Sequence, residues 1–332
     1  MPNQSQKPVD IGGQAVLEGV MMKGPDAIAI TVRRPDKTMV VDYKKSEPIS
    51  KKHKWMGLPI IRGAVNMVNM LVMGMTTLET SAKMLGTEEE EPTKFEKWLA
   101  AKLGKSIDKV VMGVAMVLAV LLSVGLFIVL PSLAEKGILS LGASGTVATL
   151  IGGLTKVLIL IAYMVFCGMV PDVRRTFQYH GAEHKTVYCH EHNLPLTPKN
   201  AQQFTTLHPR CGTTFLLFVM SIAILLHTVL VPLLLLVWTP DSAVAKHLFT
   251  IAFKLLLMVP ISALSYELIR YAARLGDGFW GRILRAPGMF LQLLTTREPE
   301  LDQVEVAVAA LASAVGQHPP RLETPPTCNR SH

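Results

Sequence analysis

The chain has 332 residues, of which 50% are hydrophobic and only 17% charged, with a mean hydropathy of +0.36 and a formal net charge of +8. A soluble domain of this length carries about a quarter charged residues, so the composition excludes one and points to a membrane protein. The positive excess suits an anionic lipid face, and contact with nucleic acid or the ribosome has no motif to support it.

Read from the N-terminus, residues 1–54 form a β-containing region that the topology places in the cytoplasm. Ala27 to Arg33 and Thr38 to Lys44 are β-rich runs flanking Arg34-Pro35-Asp36-Lys37, which suits a turn, and predict a hairpin. Ahead of it, glycines bracket an apolar strip between Gly12 and Pro25 whose single acid is Glu18, a candidate site residue. The strip lacks the Lys-Ser/Thr ending of a phosphate loop and reads as a strand with tight turns packed on the hairpin.

Residues 55–86 are Met-rich, and Asn66, Asn69, Thr76, Thr77 and Thr80 recur near a helical repeat, predicting an amphipathic interfacial or re-entrant helix. Its methionines are packing groups rather than copper ligands. Residues 87–109 form a basic cytoplasmic linker or helix. A membrane domain over 110–272 follows, with four predicted spans: Val110 to Leu130, Val147 to Val170, Thr213 to Trp238 and Leu248 to Glu267. Each is long enough to cross about 30 Å of hydrocarbon at about 1.5 Å per residue. Lys156 and Lys254 are placed to snorkel outward.

Basic residues accumulate before the first span, between the second and third, and after the fourth. This predicts a plasma-membrane protein with both termini cytoplasmic. No apolar leader core precedes the first span, which is expected to act as its own insertion signal. After the spans, a cytoplasmic segment covers 273–315, with Pro287-Gly288 expected to break the chain and Leu301 to Val315 expected to form an amphipathic helix. Residues 316–332 read as a disordered tail. The expected fold is therefore mainly α and polytopic: four transmembrane helices, an interfacial helix and a small N-terminal β-hairpin region. Cys167, Cys189, Cys211 and Cys328 lack C-x-x-C spacing and lie in or on the reducing side of the membrane, so no disulfide is expected.

The chemistry concentrates in the loop 171–212. His180, Glu183 and His184 read H-x-x-E-H; on a helix the histidines lie one turn apart and can share a metal, with Glu183 handling a proton. A catalytic zinc commonly has three protein ligands, and the topology offers His208, Cys211 or Glu267 at the same depth for the third. The donor set mildly favours zinc among divalent metals. Arg174, Arg175, Arg210 and Arg270 are also close in depth, and the same histidines and acids can pair with them in a metal-free network; Arg210 is a further candidate site residue.

The segments GGQAVLEGVMMKGP, YHGAEHKTVYC, HPRCGTTF, SYELIR and PGMFLQLLTTREPELDQVEVAV together resemble the YqhQ-like family of bacterial membrane proteins of unknown function. The resemblance runs from about Ile11 to Leu311. It implies a predicted metal-dependent enzyme whose suspected positions fall on His180, Glu183, His184, His208, Cys211 and Glu267. Two functional expectations follow. One is a metal-dependent hydrolase at the cytoplasmic membrane face. The other is a non-enzymatic scaffold or assembly factor binding lipid or a membrane-protein partner.

Overall fold

A computed structural model describes residues 11–46, 58, 61–86, 107–209, 211–275 and 278–316. They fall into two compact units: one from within Met1–Gly86, Met164–Leu226 and Trp238–His332, the other from within Thr87–Tyr163 and His227–Val237.

In the first unit, β1 (Gly12–Val16), β2 (Gly19–Lys23), β3 (Ala27–Arg33) and β4 (Met39–Lys45) form an antiparallel meander in sequence order. The β3–β4 hairpin is the one expected. The glycine-bracketed strip, expected as one strand, is two, joined by the two-residue turn Leu17-Glu18. Glu18 adopts φ 48° there, and a Cβ on Gly19 would lie 2.2 Å from Thr31 O, so the close approach of β2 to β3 depends on glycine.

Alternation along the strands gives the sheet two apolar faces. Val20, Met22 and Ala29 pack with residues of α5 (Pro171–Glu191) and α10 (Leu301–Ala314). Val16, Met21, Ile30, Val32 and Val40 pack against Met84 and Leu85 at the end of α1 (Ile61–Leu85). The C-terminal helix differs from the amphipathic expectation: 11 of the 14 residues of α10 are buried. Its run of Ala and Val lets neighbours approach on every side. Burying Val304, Val306 and Leu311 contributes about 1.5–3 kcal/mol each before conformational entropy is counted. Glu300 and Gln303 close its N-terminus with a reciprocal capping box.

The threonines in the polar stripe of α1 bond within the helix: the hydroxyls of Thr76, Thr77 and Thr80 donate to carbonyls of the preceding turn. Val68, Leu71, Val72 and Met75 are exposed on this helix. Near its start, Gly63 sits against Ala263 of α8 (Ala243–Arg274), where a Cβ would lie 2.5 Å from the Ala263 Cα.

Among the described residues, four helices are long and apolar enough to cross a membrane: Val114–Ser140, Gly145–Cys167, Phe218–Val237 and Val244–Ala272. They match the four expected spans, with two longer than expected: the fourth, expected over Leu248 to Glu267, runs Val244–Ala272, and the first extends at its C-terminal end. The first span was expected to end near Leu130, but the helix continues from α2 (Ile107–Val124) through a π turn (Gly125–Val129) into α3 (Leu130–Ser140). Pro131 follows the π turn after Leu130; the wider turn accommodates a ring that would otherwise meet the carbonyl four residues back. The other spans lie in α4 (Gly145–Cys167), α7 (Gly212–Val237) and α8. In the second unit the α3–α4 turn uses Gly142 at φ +86°, and Thr149 donates to Glu135 at 3.1 Å.

Pro287-Gly288 does not break the chain. A helix, α9 (Phe279–Thr295), runs through Pro287, which lies on its exposed side, as α7 and α8 run through Pro232 and Pro260. Cys167, Cys189 and Cys211 are free thiols. The expected linker before residue 107, the tail beyond 316 and Cys328 lie outside the described residues.

Candidate metal centre

Helix α5 carries the H-x-x-E-H residues. Its start has Pro171 in the first turn and Asp172 beside the positive end of the helix dipole. Its end is a Schellman cap, with Asn193 at φ 54° and the N–H groups of Asn193 and Leu194 donating to His190 and Cys189 carbonyls. The chain then reverses through α6 (Pro198–Gln202), capped by the Thr197 hydroxyl, and returns along α5. Lys185, buried in α5, fixes that return: its Nζ donates to Gln202 O (2.9 Å) and Phe204 O (2.7 Å) and pairs with Glu298 (2.7 Å).

The returning segment brings Cys211, immediately before α7, over the histidines. The His180 and His184 rings are 4.5 Å apart, and His180 Nε2 lies 3.3 Å from Cys211 Sγ. One ligand atom from each of His180, His184 and Cys211 lies within 4.8 Å of the others, a group able to hold a metal ion. Each imidazole is oriented from behind. His180 Nδ1–H donates to Thr295 O (2.8 Å), and His184 Nδ1–H donates to Thr206 O. A carbonyl can only accept, so both rings carry their proton on Nδ1 and present an Nε2 lone pair. This outer hydrogen bond is the usual companion of a metal-ligating histidine.

His184 is 1% exposed, and its Nε2 has no hydrogen-bond partner. Burial pushes this imidazole below the usual histidine range, with partial opposition from the Cys211 thiol. It therefore stays neutral, the form in which an imidazole ligates. A buried nitrogen lone pair without a donor costs about 1–3 kcal/mol, and a cation at that point would remove the cost. The donor set, its orientation and its orphaned atom fit a divalent metal.

Two glycines make the geometry accessible. A Cβ on Gly181 would stand 2.1 Å from Arg297 O, so α5 and the segment after α9 touch at this residue. Beside it Arg297 N–H donates to Phe177 O (2.9 Å), and the same crossing delivers the Thr295 carbonyl to His180. A Cβ on Gly13 of β1 would lie 2.6 Å from Glu183 Oε1, so the absent side chain leaves room for the Glu183 carboxyl. Glu183 is buried and has no hydrogen bond among the described residues; burial raises its carboxyl above the usual range, with His180 and His208 opposing.

A family model described as "Protein of unknown function (DUF1385)" matches residues 58–317. The chain belongs to this DUF1385 family. It is also 32% identical over 308 residues to "Uncharacterized protein YqhQ" of Bacillus subtilis (strain 168), covering 91% of each chain. No solved structure matches it.

The other expected positions of this DUF1385 chain are not members of this cluster among the described residues. His208 is buried next to the cluster, its ring 5.6 Å from that of His184, but its Nε2 faces Glu191 at 3.4 Å. Its backbone is gripped on both sides by Gln292, which accepts from His208 N–H (2.8 Å) and donates to His208 O (2.9 Å). Glu267 lies outside the cluster of three: Arg62 of α1 binds its carboxylate through two contacts of 2.6 Å. Glu18 accepts from Arg175 twice at 2.6 Å and from the Tyr179 hydroxyl at 3.3 Å, pinning the β1–β2 turn to α5 one turn before His180. Arg210 lies outside the described residues.

Sequence reasoning did not identify the carbonyls of Thr206 and Thr295, Gln292 or Gly181. Backbone carbonyls leave no residue-type signal. Gly181 left one, as a helix-disfavouring residue between two candidate ligands. From this placement, Glu267→Gln is expected to leave the metal content of purified protein at the wild-type level. A fall to less than half in elemental analysis would bring the acid back into the ligand set.

Proposed function

We propose that the protein is a metal-dependent hydrolase of the inner membrane face, with His180, His184 and Cys211 holding a divalent ion and Glu183 acting as general base. The observation that carries this reading is the pair of imidazoles held through Nδ1, with one ligand atom of each histidine and the Cys211 thiol all within 4.8 Å of one another. Three protein ligands leave a fourth position for water or substrate, as in catalytic zinc sites, and the mixed N and S donors favour zinc. A bound divalent ion would supply Lewis-acid polarisation of a carbonyl or phosphoryl oxygen.

The chain's own residues do the rest. Glu183, dry and raised in proton affinity, takes a proton from the attacking water as its oxygen bonds to the carbonyl or phosphoryl centre. It returns that proton to the leaving group when the scissile bond breaks. The carbonyls of Thr206 and Thr295 keep the rings from turning. The short link from α4 to α5 and the start of α7 just after Cys211 support a site near the bilayer surface; the basic loops support the cytoplasmic side.

Elemental analysis and a substrate screen of detergent-purified protein test the reading. Wild type should carry near-stoichiometric metal and cleave a member of a peptide, lipid or phosphoester panel. Glu183→Gln should keep the metal and lose about 10²–10⁴-fold in rate. Folded wild type that takes up no zinc, manganese or iron would refute the metal site and leave a scaffold role.

A further inference from the structure

We propose that α9 lies in the lipid–water interface, its outward face in the bilayer and its inward face against the candidate metal centre. Successive helical residues turn by about 100°, so Phe279, Ile283, Ala286, Phe290 and Leu293 fall within an arc of about 80°. Of these, Phe279, Ile283, Phe290 and Leu293 are exposed large hydrophobics, and Trp280 at the helix start is 66% exposed. The buried residues Gly281, Gly288, Leu291, Gln292 and Thr295 lie on the opposite side. A surface helix in water shows polar residues where α9 shows two phenylalanines, an isoleucine and a leucine.

Lipid is the occupant because the helix continues a lipid-facing element. The candidate span in α8 ends at Ala272, α8 itself ends at Arg274, and α9 begins at Phe279. Four intervening residues keep Phe279 and Trp280 close to the bilayer surface. Arg270, Arg274 and Arg282 lie along this exit and match anionic headgroups, and a tryptophan at the start of the helix suits the aromatic belt. The inward face supplies the carbonyl that orients His180 and the amide that grips His208. One helix thus fixes these residues at the height of the headgroups, whether or not a metal is bound.

The test uses full-length protein in vesicles of phosphatidylcholine and phosphatidylglycerol. Subtracting the fluorescence of Trp280→Phe from that of wild type isolates Trp280 from the other three tryptophans. The expected result is quenching by lipids brominated near the headgroup and weak quenching by aqueous iodide. Strong iodide quenching without a bromolipid effect would place the face in water and overturn the proposal. Insensitivity to both quenchers, as when a second copy or another protein covers the face, would overturn it too, and so would strongest quenching by bromines at the chain ends. Phe290→Trp in the Trp280→Phe background repeats the measurement mid-helix, where the same pattern is expected even if the helix start is disturbed.

Discussion

Changing His180 and His184 together to alanine is expected to abolish metal retention and, with it, the stabilisation that metal provides. Both nitrogen donors are lost, leaving Cys211 as the single member of the cluster. Loss of an outer hydrogen-bond partner alone typically costs 10–100-fold in metal affinity, so loss of two ligands exceeds what mild chelator washing leaves bound. The thermal readout is sharper than the metal count. A ligand present at 100 times its Kd stabilises the native state by about 2.7 kcal/mol, and wild type should therefore melt higher with zinc than after chelation. The double variant should melt at one temperature in both conditions. In the chelated state it should also lose less stability than removing one buried and one half-buried histidine would ordinarily cost, because removing His184 removes an unpartnered buried nitrogen. A zinc-dependent shift that survives in the double variant would place the metal elsewhere.

The spans were legible because long uncharged runs in a bilayer have one solution, the helix, whatever its neighbours are. The two histidines were legible because their spacing is local, fixed by 3.6 residues per turn within one element. The third member of the cluster was not. The topology offered His208, Cys211 and Glu267 at one expected depth, and the choice among them is lateral. Arg62 takes Glu267 from one side, Gln292 grips the backbone of His208, and Cys211 remains against His180. Each partner is more than 80 positions from the residue it fixes, except His180, which is 31 from Cys211. Single-sequence periodicity does not carry that information. Helix α10 went astray for a related reason: alanine fits any face, so Leu301 to Val315 read as an amphipathic helix when neighbours enclose nearly the whole cylinder.

Gly181→Ala is expected to lower both stability and metal retention, although it adds a single methyl group to a helix that would otherwise favour alanine. The added carbon would stand 2.1 Å from Arg297 O, with the Arg297 carbonyl carbon at 3.3 Å and the Thr206 methyl at 3.1 Å. The first contact is with backbone, so no rotamer change relieves it, and α5 must move away from the segment after α9. Such overpacking costs about 1–3 kcal/mol, more than the gain in helix propensity returns. The displacement also stretches the Thr295 contact that orients His180 and shifts Thr206, whose carbonyl orients His184. A lower melting temperature should therefore accompany faster zinc loss to a chelator. Gly168→Ala separates this from a general glycine effect, since its Cβ would meet Met164 O and Phe177 only at ordinary contact distances of 3.4 and 3.5 Å. That variant should bind zinc as wild type does. If Gly181→Ala matches it in melting temperature and chelator resistance, the crossing at Arg297 does not position the histidines, and the preorganised centre loses its main support.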